Sequence, residues 1–229
     1  MTAEPGAFPS LVECRNCGAG APLREHFCPQ CDRILALSRH GDYFMFLGLP
    51  RRLSIDPVAL EERFRALSRK FHPDYYYNAS PTERLASLER SSYLNDAYRV
   101  LRSKPLRVEY VLGLEGLAPT RASGDHGAAK VPPSLLEEVF TLNEELDEIR
   151  EQRESGADPG ALRDRLARAR LPIESKQEAH DRKLEELSAA WDERHEQAPL
   201  EALRSLVLER HYMRNLLDTI DRENAVLSA

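Results

Sequence analysis

No stretch of this 229-residue chain approaches the ~20 consecutive apolar residues that a membrane-spanning helix requires. Runs of β-branched residues are scarce too, whereas Leu, Ala, Glu and Arg abound, which argues against a sheet-built protein and predicts an all-α fold. The opening Met1 to Ser10 lacks a basic n-region, an apolar core and any arginine. Neither a secretory nor a typical mitochondrial targeting segment is legible there, and the cytoplasm is the expected compartment. A phosphate-binding glycine loop, a nucleophile elbow and a paired acid/base constellation are all missing, so no enzyme is expected. There is no long basic run and no internal repeat. With a formal net charge of −6, the chain does not offer the concentrated Lys/Arg surface that nucleic-acid phosphates demand.

The charge that is present is divided. Asp42 to Gly113 holds 12 basic and 9 acidic residues, a net of +3, while Lys130 to Ala229 holds 15 basic and 23 acidic, a net of −8. Halves of opposite sign suit two protein partners of different charge.

Cysteine is confined to four residues in one short segment, Cys14-Arg-Asn-Cys17 and Cys28-Pro-Gln-Cys31. Two C-x-x-C pairs separated by ten residues have the spacing at which four thiolates converge on one tetrahedral Zn²⁺, with Gly18 and Pro29 supplying the turns. So small a segment has no core of its own, and metal binding would be its folding energy. A structural zinc site is therefore expected. The same Cys₄ donor set also serves iron and Fe–S clusters. A thioredoxin-type redox pair calls for a strand-to-helix setting that is missing, and disulfides do not suit the cytoplasm. His26 reads as a plain loop residue, and His40, His126, His180, His195 and His211 as surface residues at no ligand spacing.

Between two helical patterns stands His72-Pro73-Asp74. Proline pushes the preceding residue out of the helical region and removes a donor, so His72 should close a helix and Asp74 should stand in an exposed loop. The helix before it starts at the Asp56 cap and Pro57 and carries Val58, Leu60, Phe64, Leu67 and Phe71 on its apolar stripe, with Arg63, Arg69 and Lys70 opposite. The helix after it begins at Ser80-Pro81-Thr82-Glu83 and continues through Leu85, Leu88, Ser92, Asn95, Ala97, Tyr98 and Leu101, ending before Pro105.

These residues resemble J-domain co-chaperones, and within them the HscB type that serves iron–sulfur cluster assembly. Besides the tripeptide, the similarity is carried by four segments. They are Asp42-Tyr43-Phe44-Met45-Phe46-Leu47-Gly48-Leu49-Pro50, Ser92-Tyr93-Leu94-Asn95-Asp96-Ala97-Tyr98 with Leu101, Pro105-Leu106-Arg107-Val108-Glu109-Tyr110, and Glu144-Glu145-Leu146-Asp147-Glu148-Ile149. Some HscB-type proteins carry a similar N-terminal four-cysteine extension. The resemblance implies a co-chaperone that stimulates the ATPase of an HscA- or DnaK-type chaperone and delivers an IscU-like scaffold protein to it. His72, Pro73 and Asp74, with the basic face of Arg63, Arg69 and Lys70, would then engage an acidic surface of the ATPase. Arg65 falls on another side. The Tyr75-Tyr76-Tyr77 run departs from the Lys or Arg often found after the tripeptide, and loop packing is its expected role.

Three units follow: a Cys₄ metal module over residues 10–36, a J domain over 42–113 and a C-terminal oligomerisation and scaffold-binding unit over 132–229, with a loop from Gly116 to Pro132. The last unit reads as a three-helix bundle. Its first helix, capped near Ser134, has the stripe Leu135, Val139, Leu142, Leu146 and Ile149, and stops near Ser155-Gly156. Its second runs from Asp158-Pro159 to Gln197 and should be kinked or interrupted at Pro172. Its third, from Pro199, presents Leu203, Leu206, Met213, Leu217 and Ile220 to the core, leaving Leu208, Tyr212 and Leu216 as an outward ridge. By resemblance the scaffold is bound through Leu136, Phe140, Glu144, Glu148 and Tyr212. Glu137 departs from the apolar residue usual at that position in the family. Two other readings stand beside this one: a general J-domain co-chaperone for protein folding, and a zinc-ribbon nucleic-acid-binding adaptor.

Overall fold

The computed structural model describes residues 11–38, 41–118 and 133–228. Most of the expected Gly116–Pro132 loop, His40, His126 and the opening ten residues lie outside them. The described residues form an all-α protein with one small β-hairpin, divided into two compact units, Met1–Arg107 and Val108–Ala229.

In the first unit, strands β1 (Leu11–Glu13) and β2 (Gly20–Pro22) pair antiparallel, with Val12 opposite Ala21. Helix α1 (Tyr43–Leu47) follows, capped by the Asp42 carboxylate and ended by Gly48 at φ 64°, a conformation that favours glycine. Helix α2 (Pro57–Phe71) starts at Asp56, whose side chain accepts from the Val58 N–H, with Pro57 in the first turn. It ends at Phe71, with His72 as C-cap, as the proline at position 73 dictates. Helix α3 (Pro81–Arg102) opens on a full capping box between Ser80 and Glu83, and after the single residue Ser103 comes α4 (Lys104–Leu114), whose first four residues belong to this unit and whose remainder belongs to the second.

The faces of α2 and α3 differ from the expected stripes. Val58, Leu85 and Leu88 are exposed, while Ser87 and Arg90 are buried beside Leu94, Ala97 and Leu101. Leu85 and Leu88 lie on one side of α3, whereas Ala86, Ser87 and Arg90 lie on another at three- and four-residue steps, and it is this second side that turns inward. Polar groups there are tolerated because each finds acceptors: Ser87 bonds the Phe71 carbonyl at 2.7 Å and Arg90 the Leu35 carbonyl at 2.7 Å.

The second unit is built on α5 (Leu136–Glu154), α6 (Pro159–Arg194) and α7 (Gln197–Val226). Their shared core holds Leu135, Leu142, Leu146, Ile149, Leu162 and Leu166, with Ile173, Met213, Leu217 and Ile220. Ion pairs fix antiparallel registers: Arg165 with Glu145 and Glu148 ties α6 to α5, and Arg170 with Asp221 and Arg210 with Asp181 tie α6 to α7, where His180 Nε2 also lies 2.8 Å from a Glu209 oxygen. A turn of 3₁₀ helix over Pro133–Leu135 leads into α5, and no side chain caps its start, so Ser134 does not take the role expected of it. Helix α6 continues through Pro172 as one element. The proline and Arg168, whose carbonyl loses its donor, are both exposed residues, on the side of the helix where a carbonyl can be solvated. Leu216 is 8% exposed within the shared core and so does not belong to an outward ridge.

Candidate functional site

The cysteine module is a pair of knuckles. In the first, the Gly18 N–H donates to the Cys14 carbonyl at 2.8 Å with Gly18 at φ 72°, where the absence of a Cβ removes the strain. In the second, the Asp32 N–H donates to the Cys28 carbonyl at 2.9 Å, and Asp32 itself takes the left-handed conformation at φ 55°. The left-handed position there is thus supplied by an aspartate three residues beyond Pro29. The four Sγ atoms lie within 4.8 Å of one another, with Cys14 to Cys31 at 3.7 Å and Cys17 to Cys28 at 3.6 Å. A Zn–S bond of ~2.3 Å gives tetrahedral S···S edges of about 3.8 Å, so the donor set fits a tetrahedral ion. Proximity runs across the knuckles in these two contacts, and all four cysteines are free thiols.

The thiols are not equivalent. The Arg33 backbone N–H and the Asn16 side-chain amide, 3.5 Å away, lower Cys31 to about 6. The Ala19 backbone lowers Cys17, but desolvation and the neighbouring sulfurs outweigh it and push that thiol up to about 12. One thiolate forms readily and the next resists ionisation. Cys14, Cys17, Cys28 and Cys31 could together hold a divalent cation, whose charge would balance that accumulating on the thiolates.

His72-Pro73-Asp74 opens a 3₁₀ turn, Pro73–Tyr76. The His72 Nδ1 accepts from the Asp74 N–H at 3.3 Å, the Tyr75 N–H bonds the His72 carbonyl at 3.0 Å, and the Tyr76 hydroxyl donates to the Lys70 carbonyl at 3.1 Å. The last carbonyl of α2, that of Phe71, accepts from both the Ser87 and Ser91 hydroxyls, at 2.7 and 2.8 Å, satisfying a group that helix ends leave without an intrahelical partner. The Asp74 carboxylate is 86% exposed, with one oxygen 3.5 Å from His72 Nδ1. Arg63, Arg69 and Lys70 are exposed on α2, whereas Arg65 is held by Glu61 at 2.8 Å. Tyr76 packs in the loop, but Tyr75 and Tyr77 are exposed, so loop packing accounts for one tyrosine of the three.

His26 is more than a loop residue. Its ring meets Phe46 and Phe71 edge-on, with centroids 4.8 and 5.0 Å away, and its Nδ1 lies 2.8 Å from an Arg90 Nη. An arginine only donates, so Nδ1 is the acceptor and the ring is neutral. Burial first, and Arg90 second, depress the imidazole to about 4. The other described histidines are also engaged: His180 with Glu209, His211 with Glu109, and His195 as the left-handed cap of α6 against Trp191. Sequence periodicity gave no sign of Arg90, Ser87 or Ser91. The only available signal was their shared three- and four-residue spacing on α3 facing the tripeptide.

In the second unit Leu136 and Phe140 are 53% and 65% exposed. Glu144 is exposed on the same helix, and Glu148, although exposed, is bound by Arg165 at 2.7 Å. Tyr212 is partly buried against the shared core. Beside this face, a groove of about 560 Å³ between α5 and α6 is lined by Glu137, Thr141 and Glu145 together with Arg165, Arg168 and Ile173. Among the described residues no helix is long and apolar enough to cross a membrane.

No family model matches the chain. Among solved structures it is similar to the human co-chaperone protein HscB, at 26% identity and a TM-score of 0.70, over 93% of this chain and 98% of that one. It is similar also to the chaperone HscB from Vibrio cholerae, at 26% identity and a TM-score of 0.56, over 82% of this chain and 99% of that one. The likeness to these two HscB structures runs over most of the chain, which holds the capped hairpin around His72-Pro73-Asp74 and, near its N-terminus, four gathered cysteines.

Proposed function

We propose that this protein stimulates the ATPase of an HscA- or DnaK-type chaperone and delivers an IscU-like scaffold protein to it during iron–sulfur cluster assembly. The observation that carries the reading is the state of Asp74: it is 86% exposed at the end of a basic helix face, in a chain similar to two HscB proteins over most of their length. A carboxylate so placed is available to an arginine of the ATPase, while Pro73 and the hydrogen-bonded turn fix its direction. Arg63, Arg69 and Lys70 supply orientation and on-rate against an acidic surface. The scaffold is held by Leu136 and Phe140, with Glu144, Glu148 and Tyr212 at the edge of the apolar patch. ATP hydrolysis belongs to the partner's site.

Structural zinc is the ion that the Cys₄ module best fits, since closed four-thiolate sites suit a tetrahedral cation without redox chemistry. The function is tested by steady-state ATPase assays of HscA- and DnaK-type chaperones with the co-chaperone, with the scaffold, and with both. Stimulation by the two together well beyond the sum of each alone is expected. Equal stimulation with and without scaffold would instead assign a general J-protein role.

A further inference from the structure

Arg90 is a cation placed where charge is costly. It is 4% exposed, and its three hydrogen bonds run to the Leu35 carbonyl at 2.7 Å, the Ala36 carbonyl at 3.2 Å and His26 Nδ1 at 2.8 Å, none of them a carboxylate. A buried guanidinium depends on acceptors held in fixed positions. All three of these acceptors belong to the cysteine module: His26 lies two residues before Cys28, and Leu35 and Ala36 follow Cys31. Backbone bonds tie them to the knuckle, with the Leu35 N–H donating to the His26 carbonyl at 3.0 Å and the Cys28 N–H to the Arg33 carbonyl at 2.9 Å.

The other side of the guanidinium faces the loop-bearing helix. Arg90 lies 5.8 Å from the Phe46 ring centroid and 5.7 Å from that of Phe71, and the His26 ring touches both. Phe71 is fully buried and is peptide-bonded to His72. The hydroxyls that hold its carbonyl come from Ser87 and Ser91, on either side of Arg90 in α3.

We propose that Arg90 and His26 are positioning residues for the His72-Pro73-Asp74 loop, transmitting the folded state of the cysteine module to the C-terminal end of α2. Among the described residues the module's buried cluster is small, Cys14, Ala21, Cys28 and Leu35 with Ala19 and Cys31 packed against it, so its order depends on whatever holds the four sulfurs together. If they separate, the Leu35 and Ala36 carbonyls lose their fixed positions, and Arg90 must leave the Phe71 ring to find water. The end of α2 then loses its cover, and Asp74 spends less time in its docking geometry. By linkage, a chaperone that binds the ordered loop also tightens the hold on the metal. Arg33 makes a second tie, to Glu83 at 2.9 Å, but this arginine is 54% exposed and solvent-screened.

This inference rests on the function proposed above, and its test separates the two. Amide hydrogen exchange is followed in the full-length, metal-loaded protein over residues 68–76, with residues 142–149 of α5 as an internal reference. Arg90→Gln should speed exchange over 68–76 by about tenfold and leave α5 unchanged, with Arg90→Lys intermediate because a single ammonium reaches fewer of the acceptors. Arg33→Gln should change it by less than about twofold. Removing the metal with a chelator should loosen 68–76 in the native protein and add little in Arg90→Gln, since the two perturbations break one path. In ATPase assays Arg90→Gln should raise the half-saturating concentration about tenfold with the maximal rate retained. Unchanged exchange over 68–76 in Arg90→Gln or after chelation would overturn the proposal, as would equal loosening by Arg33→Gln. A native protein that stimulates no chaperone would remove the proposed function while the exchange result still decides the positioning claim.

Discussion

Replacing Leu136 and Phe140 together by alanine separates a binding face from a packing face on the same helix. Full burial of a leucine or phenylalanine side chain is worth about 1.5–3 kcal/mol. With Leu136 53% and Phe140 65% exposed, somewhat over half of that remains available to a partner. The pair therefore offers about 2–3 kcal/mol, a loss of roughly 30- to 150-fold in scaffold affinity for the double variant. Its folding stability should move by no more than about 0.5 kcal/mol, because neither side chain fills the three-helix core. Isothermal titration of a scaffold protein into native and variant protein, paired with urea unfolding of each, measures both quantities. Scaffold binding within threefold of native would refute the assignment of this face, and a stability loss above about 1.5 kcal/mol would refute the reading of these side chains as unpacked.

Three further outcomes follow from the packing and the charges. Ile149→Ala, at a side chain with no exposure, should cost about 2–5 kcal/mol in chemical unfolding of the C-terminal unit and leave the docking loop's exchange unchanged. Cys28→Ser should lower the metal content of the purified protein from about one divalent ion per chain to a small fraction of that, read by elemental analysis. Burial acts to raise Glu83, but hydrogen bonds from Arg33 and Ser80 outweigh it, while the Tyr98 hydroxyl and then Arg65 lower Glu61; both carboxyls are held below the usual range. Groups depressed in the folded state add stability above their unfolded pKa of about 4.3 and lose it as pH falls through the folded value. The urea midpoint should therefore drop on acidification below about pH 4.5, and less steeply in Glu83→Gln. Equal slopes would contradict this account.

The elements that could be read from sequence were those fixed by local chemistry. Asp56-Pro57 and the Ser80 to Glu83 box mark helix starts through bonds made within four residues, and Pro73 ends α2 by steric exclusion. The C-terminal stripe of Leu135, Leu142, Leu146 and Ile149 shows because these residues meet one continuous core. What escaped was decided by distant partners. Leu85 and Leu88 look like core residues on period alone, yet the inward face of α3 is the one bearing Ser87 and Arg90, because Phe71 and the cysteine module supply acceptors there. Leu216 and Leu217 are both buried where α7 packs in the bundle, a width of apolar face that a single stripe does not anticipate. Pro172 remains within α6 because the bond it removes lies on the solvent side. Cysteine spacing announced the metal site, but the seating of its loop residues on the helix that carries His72-Pro73-Asp74 is a tertiary fact.

Asp74 is proposed to act on a partner's ATPase and to serve no structural purpose in its own chain. Single-turnover ATP hydrolysis by an HscA- or DnaK-type chaperone in the presence of scaffold, comparing native protein with Asp74→Asn, tests it directly. The variant should retain the native unfolding midpoint and scaffold affinity and lose essentially all acceleration of hydrolysis. Full acceleration by Asp74→Asn, or its loss together with the fold, would contradict it.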